Sequence, residues 1–387
     1  MKVAVIGAGA SGIFYAILRK KQFPQDEVIL VDKEDRLGKK IYVTGNGRCN
    51  LSNTNLTPNC YNNEFGYNIA NSFDTISYFN SIGLLTTTDS ENRAYPLSNV
   101  SNNVLDVLRK SISDALIINN EAINRINIVN NQYELISSNF NYYYADFLVI
   151  AAGGKTYYKE CNSYTLANML SHKVCLLRPS LTYLKVKENL ASIENLRCKV
   201  KASLFANNIL LYEDFGEVLF KKDAISGIVI FQLSSIIARN HYMSYVIKLD
   251  LAYNYTIEQL CNYINKFKSL DGMFAKMINQ YILKNAKSNN TLDIAYTIKN
   301  LSFNVIETVD FKNAQVTSGG VDVNELNENL ESVLHKNLYF SGEIINVDGI
   351  CGGYNLQFAF ASANKIANDI ILKVGVKNEE NLWAYLY

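Results

Sequence analysis

The chain has 387 residues and a formal net charge of +1, from 37 Lys+Arg against 36 Asp+Glu. With 48% apolar and 19% charged residues it can bury a large core, which excludes a disordered chain or a polybasic nucleic-acid tail. Its length predicts two or three units of roughly 100 to 200 residues each. Cys49, Cys60, Cys161, Cys175, Cys198, Cys261 and Cys351 are spread singly, and His172, His241 and His335 lie far apart. Neither a disulfide framework nor a zinc site is supported, so no metal is expected. No GxSxG marks a nucleophile elbow, and the histidines read as structural.

Along the chain, Lys2 to Ile6 reads as a buried strand, Gly7-Ala8-Gly9-Ala10-Ser11-Gly12 follows at once, and Ile13 to Lys21 has the apolar spacing of a helix. The stretch from Lys2 to Leu18 superficially resembles a signal peptide, but three glycines interrupt it. A second strand, Val28 to Val31, ends in Asp32, 20 positions after Gly12. A bare GxGxxG is weak evidence, whereas strand, glycines, helix, strand and acidic residue in this order describe a dinucleotide-binding unit. Gly7 permits the tight turn, Gly9 lets backbone amides approach a pyrophosphate, and Gly12 lets the helix pack on the sheet with its positive end at the phosphates. Asp32 would accept hydrogen bonds from an adenosine ribose.

Asp146 to Ala152 followed by Gly153-Gly154 is an apolar strand, and its AAGG end is close to the segment at which two-dinucleotide flavoproteins return to their cofactor. Leu184–Val186, Lys199–Phe205, Ile209–Tyr212, Glu217–Phe220 and Tyr245–Leu249 predict a small β domain. The apolar run from Gly227 to Ala238 is broken by Gln232, Ser234 and Ser235 and is well short of the ~20 residues of a membrane helix. Spacings such as Ile257, Leu260, Cys261, Ile264 and Phe267, then Met273, Met277, Ile278, Tyr281 and Ile282, predict helices from Thr256 to about Leu301. Leu338 to Ser341 is a further strand ending in Gly342-Glu343, an acidic residue that commonly meets the ribityl chain in FAD enzymes. Asp348 to Asn355 then opens an amphipathic helix, Leu356 to Leu372. A glycine turn opening a helix offers amides and a positive dipole end to the flavin N1/C2=O edge.

Three glycine-terminated strands favour FAD over NAD as the resident cofactor. With a single GxGxxG, NAD(P)H is expected only as a transient electron donor. The expected architecture is an α/β, Rossmann-like two-dinucleotide-binding FAD domain, discontinuous over 1–182 and 312–387. It is interrupted by a β-rich domain at 183–253 and a small helical domain at 254–311. Residues 183 to 313 hold 16 basic and 12 acidic residues, net +4, leaving 21 against 24, net −3, elsewhere. A soluble, cytoplasmic protein without a membrane partner is expected.

At Gly38-Lys39-Lys40-Ile41 and Thr44-Gly45-Asn46-Gly47-Arg48-Cys49-Asn50-Leu51-Ser52-Asn53, the chain resembles the YhiN/BaiN-like NAD(P)/FAD-dependent oxidoreductases, also labelled the aminoacetone oxidase family. The likeness continues through Arg93 to Pro96, Pro179 to Leu181, Gly216 to Phe220, Thr317 to Val321 and Asp348 to Gln357, essentially the whole length. It departs at Leu219 to Ile228, where Lys221-Lys222 replaces the family's Thr-His, and at Lys155 to Tyr164, which is shortened. Fingerprint and resemblance together imply FAD contacts at Gly7, Gly9, Ala10, Ser11, Gly12, Asp32, Lys33, Gly38, Lys39, Lys40, Gly45, Asn46, Gly47 and Asn50. Later in the chain they imply Ala152, Gly153, Gly342, Glu343, Asp348, Gly352, Gly353, Asn355 and Leu356.

Cys49, its thiol pKa lowered by the adjacent Arg48, is the candidate proton donor, with packing beneath the flavin as the alternative. Arg48 would face the phosphates or the flavin edge, and Tyr354 would stack on or bond near the ring. The resemblance implies hydride transfer to a conjugated C=C bond. Uridine of large-subunit ribosomal RNA is the first expectation, since its 5,6 double bond is conjugated with a carbonyl and the insertion is basic. The alternative is an oxidase or dehydrogenase of a small amine or steroid-like substrate.

Overall fold

The computed structural model describes residues 1–112, 115–156, 163–240, 242 and 244–374. Cys161, His241 and the middle of the Lys155 to Tyr164 segment lie outside the described residues. The chain divides into two compact units, Met1–Arg178 with the chain from Val316 onward, and Pro179–Gln315.

The first unit is built on five parallel strands in the order Leu338–Phe340, Phe147–Ile150, Lys2–Ile6, Glu27–Val31 and Leu116–Ile118. The inner strands are apolar at nearly every position, as a parallel sheet covered on both faces requires. The helix Ala10–Gln22 packs against the C-terminal helix Tyr354–Val374, with Phe14 and Phe360 5.1 Å apart between ring centroids. The C-terminal helix therefore starts at Tyr354, two positions before the apolar periodicity does. A short sheet of Ser52–Asn53, Arg93–Pro96 and Thr86–Thr88 and a meander of Ile123–Val129, Gln132–Ser137 and Tyr142–Ala145 complete this unit.

The turn from the first helix into the second strand is held by a buried ion pair. Arg19 is 0% exposed; its Nε donates to Asp26 Oδ2 at 2.8 Å, and its guanidinium lies 4.0 Å from the Phe23 ring centroid. Asp26 immediately precedes the strand Glu27–Val31, so the pair fixes where that strand starts.

The second unit is a closed barrel of six strands, in the order Leu184–Val186, Ala224–Ser226, Ile209–Lys221, Arg197–Ala206, Tyr245–Asp250 and Leu301–Thr308. The apolar runs Ile209–Tyr212 and Glu217–Phe220 belong to one 13-residue strand. The helix Ile228–Arg239 packs on the barrel, and Ile257–Phe267, Lys276–Asn285 and Thr291–Lys299 form the helical part. The sequence reading separated a β domain at 183–253 from a helical domain at 254–311, whereas the structure holds both in one unit. The cause is non-local: Leu301–Thr308, beyond the helices, pairs with both Leu184–Val186 and Tyr245–Asp250 to close the barrel. One apolar cluster accordingly contains Val200, Phe220 and Phe303 together with Leu260, Ile282 and Ile298.

Replacing Asp26 with Ala strands the Arg19 charge in the core and should lower unfolding stability by about 3 kcal/mol, read from the urea midpoint. A change below about 1 kcal/mol would show that the pair does not set the turn.

Candidate functional site

The C-terminal ends of the parallel strands converge on one cleft. Gly7 leaves the first strand at φ +104°, its N–H donating to Val31 O at 2.8 Å, and an added Cβ would run into the backbone of Ala151 and Ala152. A Cβ on Gly12 would strike the Gly7 carbonyl. Gly9 is different, because a Cβ there meets nothing within 4 Å among the described residues beyond its own chain neighbours. Packing within the chain therefore explains Gly7 and Gly12, while Gly9 keeps open a space that the protein does not fill. The helix above it, Ala10–Gln22, has no side-chain cap and no acidic residue in its first turn, so its leading amides are left for an anion. These features fit the pyrophosphate of a dinucleotide.

Asp32 lies at the edge of the same cleft, accepting from the Ala8 N–H and, through Oδ1, from the Glu34 N–H at 2.8 Å. Burial raises its carboxyl above the ordinary range against the lowering by these amides. Lys33, Lys39, Lys40, Ala152 and Gly153 also line the cleft. Lys39 turns outward, its Nζ 2.6 Å from Glu34 Oε2 and 3.2 Å from Asp35 Oδ1. Lys40 crosses to the next strand end, donating to Gly154 O at 3.1 Å. Gly38 at φ +69° and its N–H bond to Ala8 O at 2.8 Å bring this segment back to the glycine loop.

Glu121, Ala122, Ile123 and Ser163 line the cleft as well, and no motif announces them. Glu121 to Ile123 follow the strand Leu116–Ile118, which pairs beside Glu27–Val31 but at three residues is hard to distinguish from a loop in sequence, and Ser163 donates its hydroxyl to Ala152 O at 3.0 Å. Burial pushes the Glu121 carboxyl up, but bonds from Ser137, Asn141 and Tyr143 outweigh it and leave it below its ordinary value.

A second group of the expected residues meets where the loop of Gly45 to Asn53 touches the turn before the C-terminal helix. Asn53 Nδ2 donates to Gly352 O at 3.0 Å, and Ser52 Oγ to Gln357 Oε1 at 2.6 Å. Gln357 Nε2 in turn donates to Ala70 O and Phe73 O at 2.7 and 2.8 Å. Gly353, at φ +99°, packs so closely that a Cβ would strike Ser52 O. Asn50 Oδ1 lies beside that position, buried and without a hydrogen-bond partner among the described residues. Gly45, Asn46, Gly47 and Cys49 all have positive φ, and a Cβ on Gly47 would meet nothing within 4 Å. The loop thus presents open glycine space and an unmatched amide oxygen, a fit for a ligand with hydrogen-bond donors.

Several expected contacts are engaged elsewhere. Cys49 is 0% exposed, and burial pushes its thiol up to about 12, opposite to the lowering anticipated from Arg48. Arg48 faces the other way, its guanidinium 4.5 Å from the Tyr95 ring centroid and its Nη2 3.3 Å from Tyr95 OH. Tyr354 donates its hydroxyl to Asn55 O at 3.2 Å and sets its ring edge-on to Tyr61; burial raises its phenol. The Asn355 amide closes its own loop, accepting from Gly349 N at 2.8 Å and donating to Gly349 O at 3.0 Å. Glu343 accepts from Gly154 N at 3.2 Å and Thr317 N at 2.9 Å, with Lys40 Nζ 3.7 Å away, so it ties strand ends together. Ser11 Oγ donates to Ser341 O at 3.4 Å, beside Gly342, so its side chain ties the helix to the end of the strand Leu338–Phe340. Asp348 is buried, its N–H bonded to Asn62 Oδ1 at 3.1 Å. Leu356 is half-buried in the helix's first turn.

Buried His172 lies between Glu325 and Ser332, and Lys221, at the family's Thr-His position, sits 4.1 Å from the Tyr183 ring centroid in the barrel unit. Among the described residues no group of His, Cys, Asp and Glu is arranged to hold a metal ion, and no helix is long and apolar enough to cross a membrane.

Residues 1–369 match the family described as HI0933-like protein Rossmann domain. A 3-dehydro-bile acid delta(4,6)-reductase from Clostridium scindens is 30% identical, the alignment covering 93% of this chain and 97% of the relative. Ribosomal RNA dihydrouridine synthases from Haemophilus influenzae and Escherichia coli are 22% and 25% identical, each over 95% of this chain and 97% of the relative.

The glycines separate by experiment. Gly9→Ala should cost under about 1 kcal/mol of stability but weaken FAD binding about tenfold or more, while Gly12→Ala should lose about 2 kcal/mol or more of stability. Urea midpoints and flavin content of the purified proteins read both, and equal flavin content in Gly9→Ala and the parent would remove the pyrophosphate from this loop. Cys49→Ala should leave the pH profile of turnover unchanged below about pH 10, since the buried thiol stays protonated there.

Proposed function

The chain is a member of the HI0933-like family, and on that premise we propose that it holds FAD and transfers hydride to a carbonyl-conjugated C=C bond of a small, steroid-like molecule. The family is one of flavin-dependent oxidoreductases, so enzyme activity is the starting point. The observation that carries the reading is the open glycine space at Gly9 and at Gly47, the latter in the loop that holds the unmatched Oδ1 of Asn50 against Gly353, on the two segments that a dinucleotide flavin must reach.

In this reading the amides of Gly9 to Ser11 bind the pyrophosphate, helped by the positive end of the helix Ala10–Gln22. Asp32 accepts from the ribose with the lone pairs that Ala8 and Glu34 leave free. The turn Gly352-Gly353 and the start of the helix Tyr354–Val374 place positive partial charge where a reduced flavin ring gathers negative charge. Bound FAD would supply the hydride, after reduction by NADH or NADPH. Asn50 Oδ1, which lacks a donor among the described residues, is a side-chain acceptor available to the ring's N–H. In this reading the buried Cys49 takes the packing role beneath the flavin, the alternative to proton donation.

For the substrate, the relative with 30% identity acts on a 3-oxo compound whose delta(4,6) double bonds are conjugated with the carbonyl. This favours the steroid-like branch over uridine of ribosomal RNA, the first expectation from resemblance, since the relatives named for that activity are 22% and 25% identical. The uridine reading keeps its chemical basis, a 5,6 double bond conjugated with a carbonyl. The net +4 of residues 183 to 313 is its compositional support.

Anaerobic mixing with NADH or NADPH should bleach the flavin, and a 3-oxo-4,6-diene bile acid added next should restore it without oxygen. Restoration only by oxygen, with stoichiometric peroxide, would make the protein an oxidase. Loss of ribosomal RNA dihydrouridine in a deletion strain, read by nucleoside mass spectrometry, would move the substrate to uridine.

A further inference from the structure

The barrel unit contains a cleft of about 450 Å³ outside every motif discussed above. Small-molecule sites span roughly 300–1,000 Å³ and are lined mainly by apolar and aromatic groups with few polar ones. Here Tyr253, Tyr255, Tyr263 and Phe274 form the walls, Leu260 lies at the base and Lys199 stands at the rim.

Two buried or half-buried polar side chains hold the walls in place. Lys299 Nζ donates to Ala252 O at 3.2 Å and Tyr255 O at 2.8 Å and pairs with Asp250 at 2.6 Å, fixing one loop. Asn279 Nδ2 donates to Leu270 O at 2.8 Å and Phe274 O at 3.1 Å, fixing the other. The cleft is therefore formed before any ligand arrives, which lowers the ordering cost of binding.

Charge supplies the second observation. Three cations alternate on the outer face of the strand Arg197–Ala206. Arg197 pairs with Glu217 and Lys201 with Glu213 at 2.8 Å. Lys199 lies between them, opposite Glu217 in the ladder, yet Glu217 is held by Arg197 and no carboxylate stands within ion-pair distance of Lys199 among the described residues. An unmatched ammonium at the rim of an aromatic cleft attracts an anion whose remaining surface is flat and apolar.

We infer that this cleft is a binding site for a small planar or polycyclic anion, a carboxylate or sulfonate, with the charged group on Lys199 and the ring system against Tyr253, Tyr255 and Phe274. All of these residues belong to the barrel unit, so the inference stands independently of the flavin reading.

Fluorescence titration of the full chain with 8-anilinonaphthalene-1-sulfonate, and with the uncharged N-phenyl-1-naphthylamine, tests it. Lys199→Gln should weaken the sulfonate about tenfold and leave the neutral probe unchanged, whereas Tyr255→Ala should weaken both about fivefold. Lys199 and Tyr255 are exposed, so both variants should keep the parent's circular dichroism. Sulfonate binding unaffected by either substitution would overturn the site. Displacement of the probe by a uridine oligonucleotide at lower concentration than by deoxycholate would overturn the small-anion assignment in favour of a nucleobase.

Discussion

Gly7 turns out of the first strand directly beneath the backbone of Ala151 and Ala152, and Gly12 then passes beneath the Gly7 carbonyl. Both contacts are backbone against backbone, so neither can be relieved by a side chain changing rotamer. Any Cβ would force the strand Lys2–Ile6 away from Phe147–Ile150, and their four-residue parallel register would be lost. That crossing brings the helix Ala10–Gln22 close enough to pack on the C-terminal helix, and it aims the helix's uncapped end into the cleft. The open space at Gly9 exists because its two glycine neighbours have already fixed the turn.

A second constraint joins segments about three hundred residues apart in sequence. The loop ending in Ser52–Asn53 and the turn at Gly352-Gly353 are held by Asn53 on one carbonyl, Ser52 on Gln357 and a glycine contact with no room for a side chain. Gln357 passes the connection on to Ala70 and Phe73, so the start of the C-terminal helix is positioned by the N-terminal part of the chain. Each segment thus supplies hydrogen-bond partners to the other. The positive φ at Gly45, Asn46, Gly47 and Cys49 is tolerated in that setting, although a buried non-glycine residue such as Cys49 there carries strain of roughly 1 kcal/mol or more.

The glycine loop, the strands around it and the discontinuity of the first unit were legible in the sequence because each rests on local periodicity or on a residue type with one steric meaning. Legibility failed where the deciding fact was three-dimensional. Arg48 next to Cys49 suggested an acidified thiol, but sequence adjacency says nothing of burial, and burial dominates this thiol. Glu343 and Asn355 read as cofactor contacts because they stand at the ends of the right elements, and nothing in the sequence shows that backbone amides also bond to their side chains. The single barrel unit was hidden for a related reason. Its closing strand, Leu301–Thr308, is separated from its partner Leu184–Val186 by more than a hundred residues, and no periodicity spans that distance.

These reassignments leave a division of labour within the chain. In the first unit the side chains of the specific motifs mostly bind one another, and what they leave free is backbone amide, glycine space and one amide oxygen at Asn50. Such groups recognise a cofactor and have little to distinguish one reducible substrate from another. Relatives named for activities on a bile acid and on ribosomal RNA nevertheless align with 93% or more of this chain, as expected if the common length encodes a common scaffold and cofactor cradle. On the proposed reading, substrate choice falls to side chains outside these motifs. The barrel unit is where the chain carries its positive surplus, and on the strand Arg197–Ala206 the cations are exposed or partly exposed, with Lys199 standing without a carboxylate partner among the described residues. An ammonium left unmatched costs the folded chain little at the surface, so it can change between relatives without disturbing the cofactor scaffold.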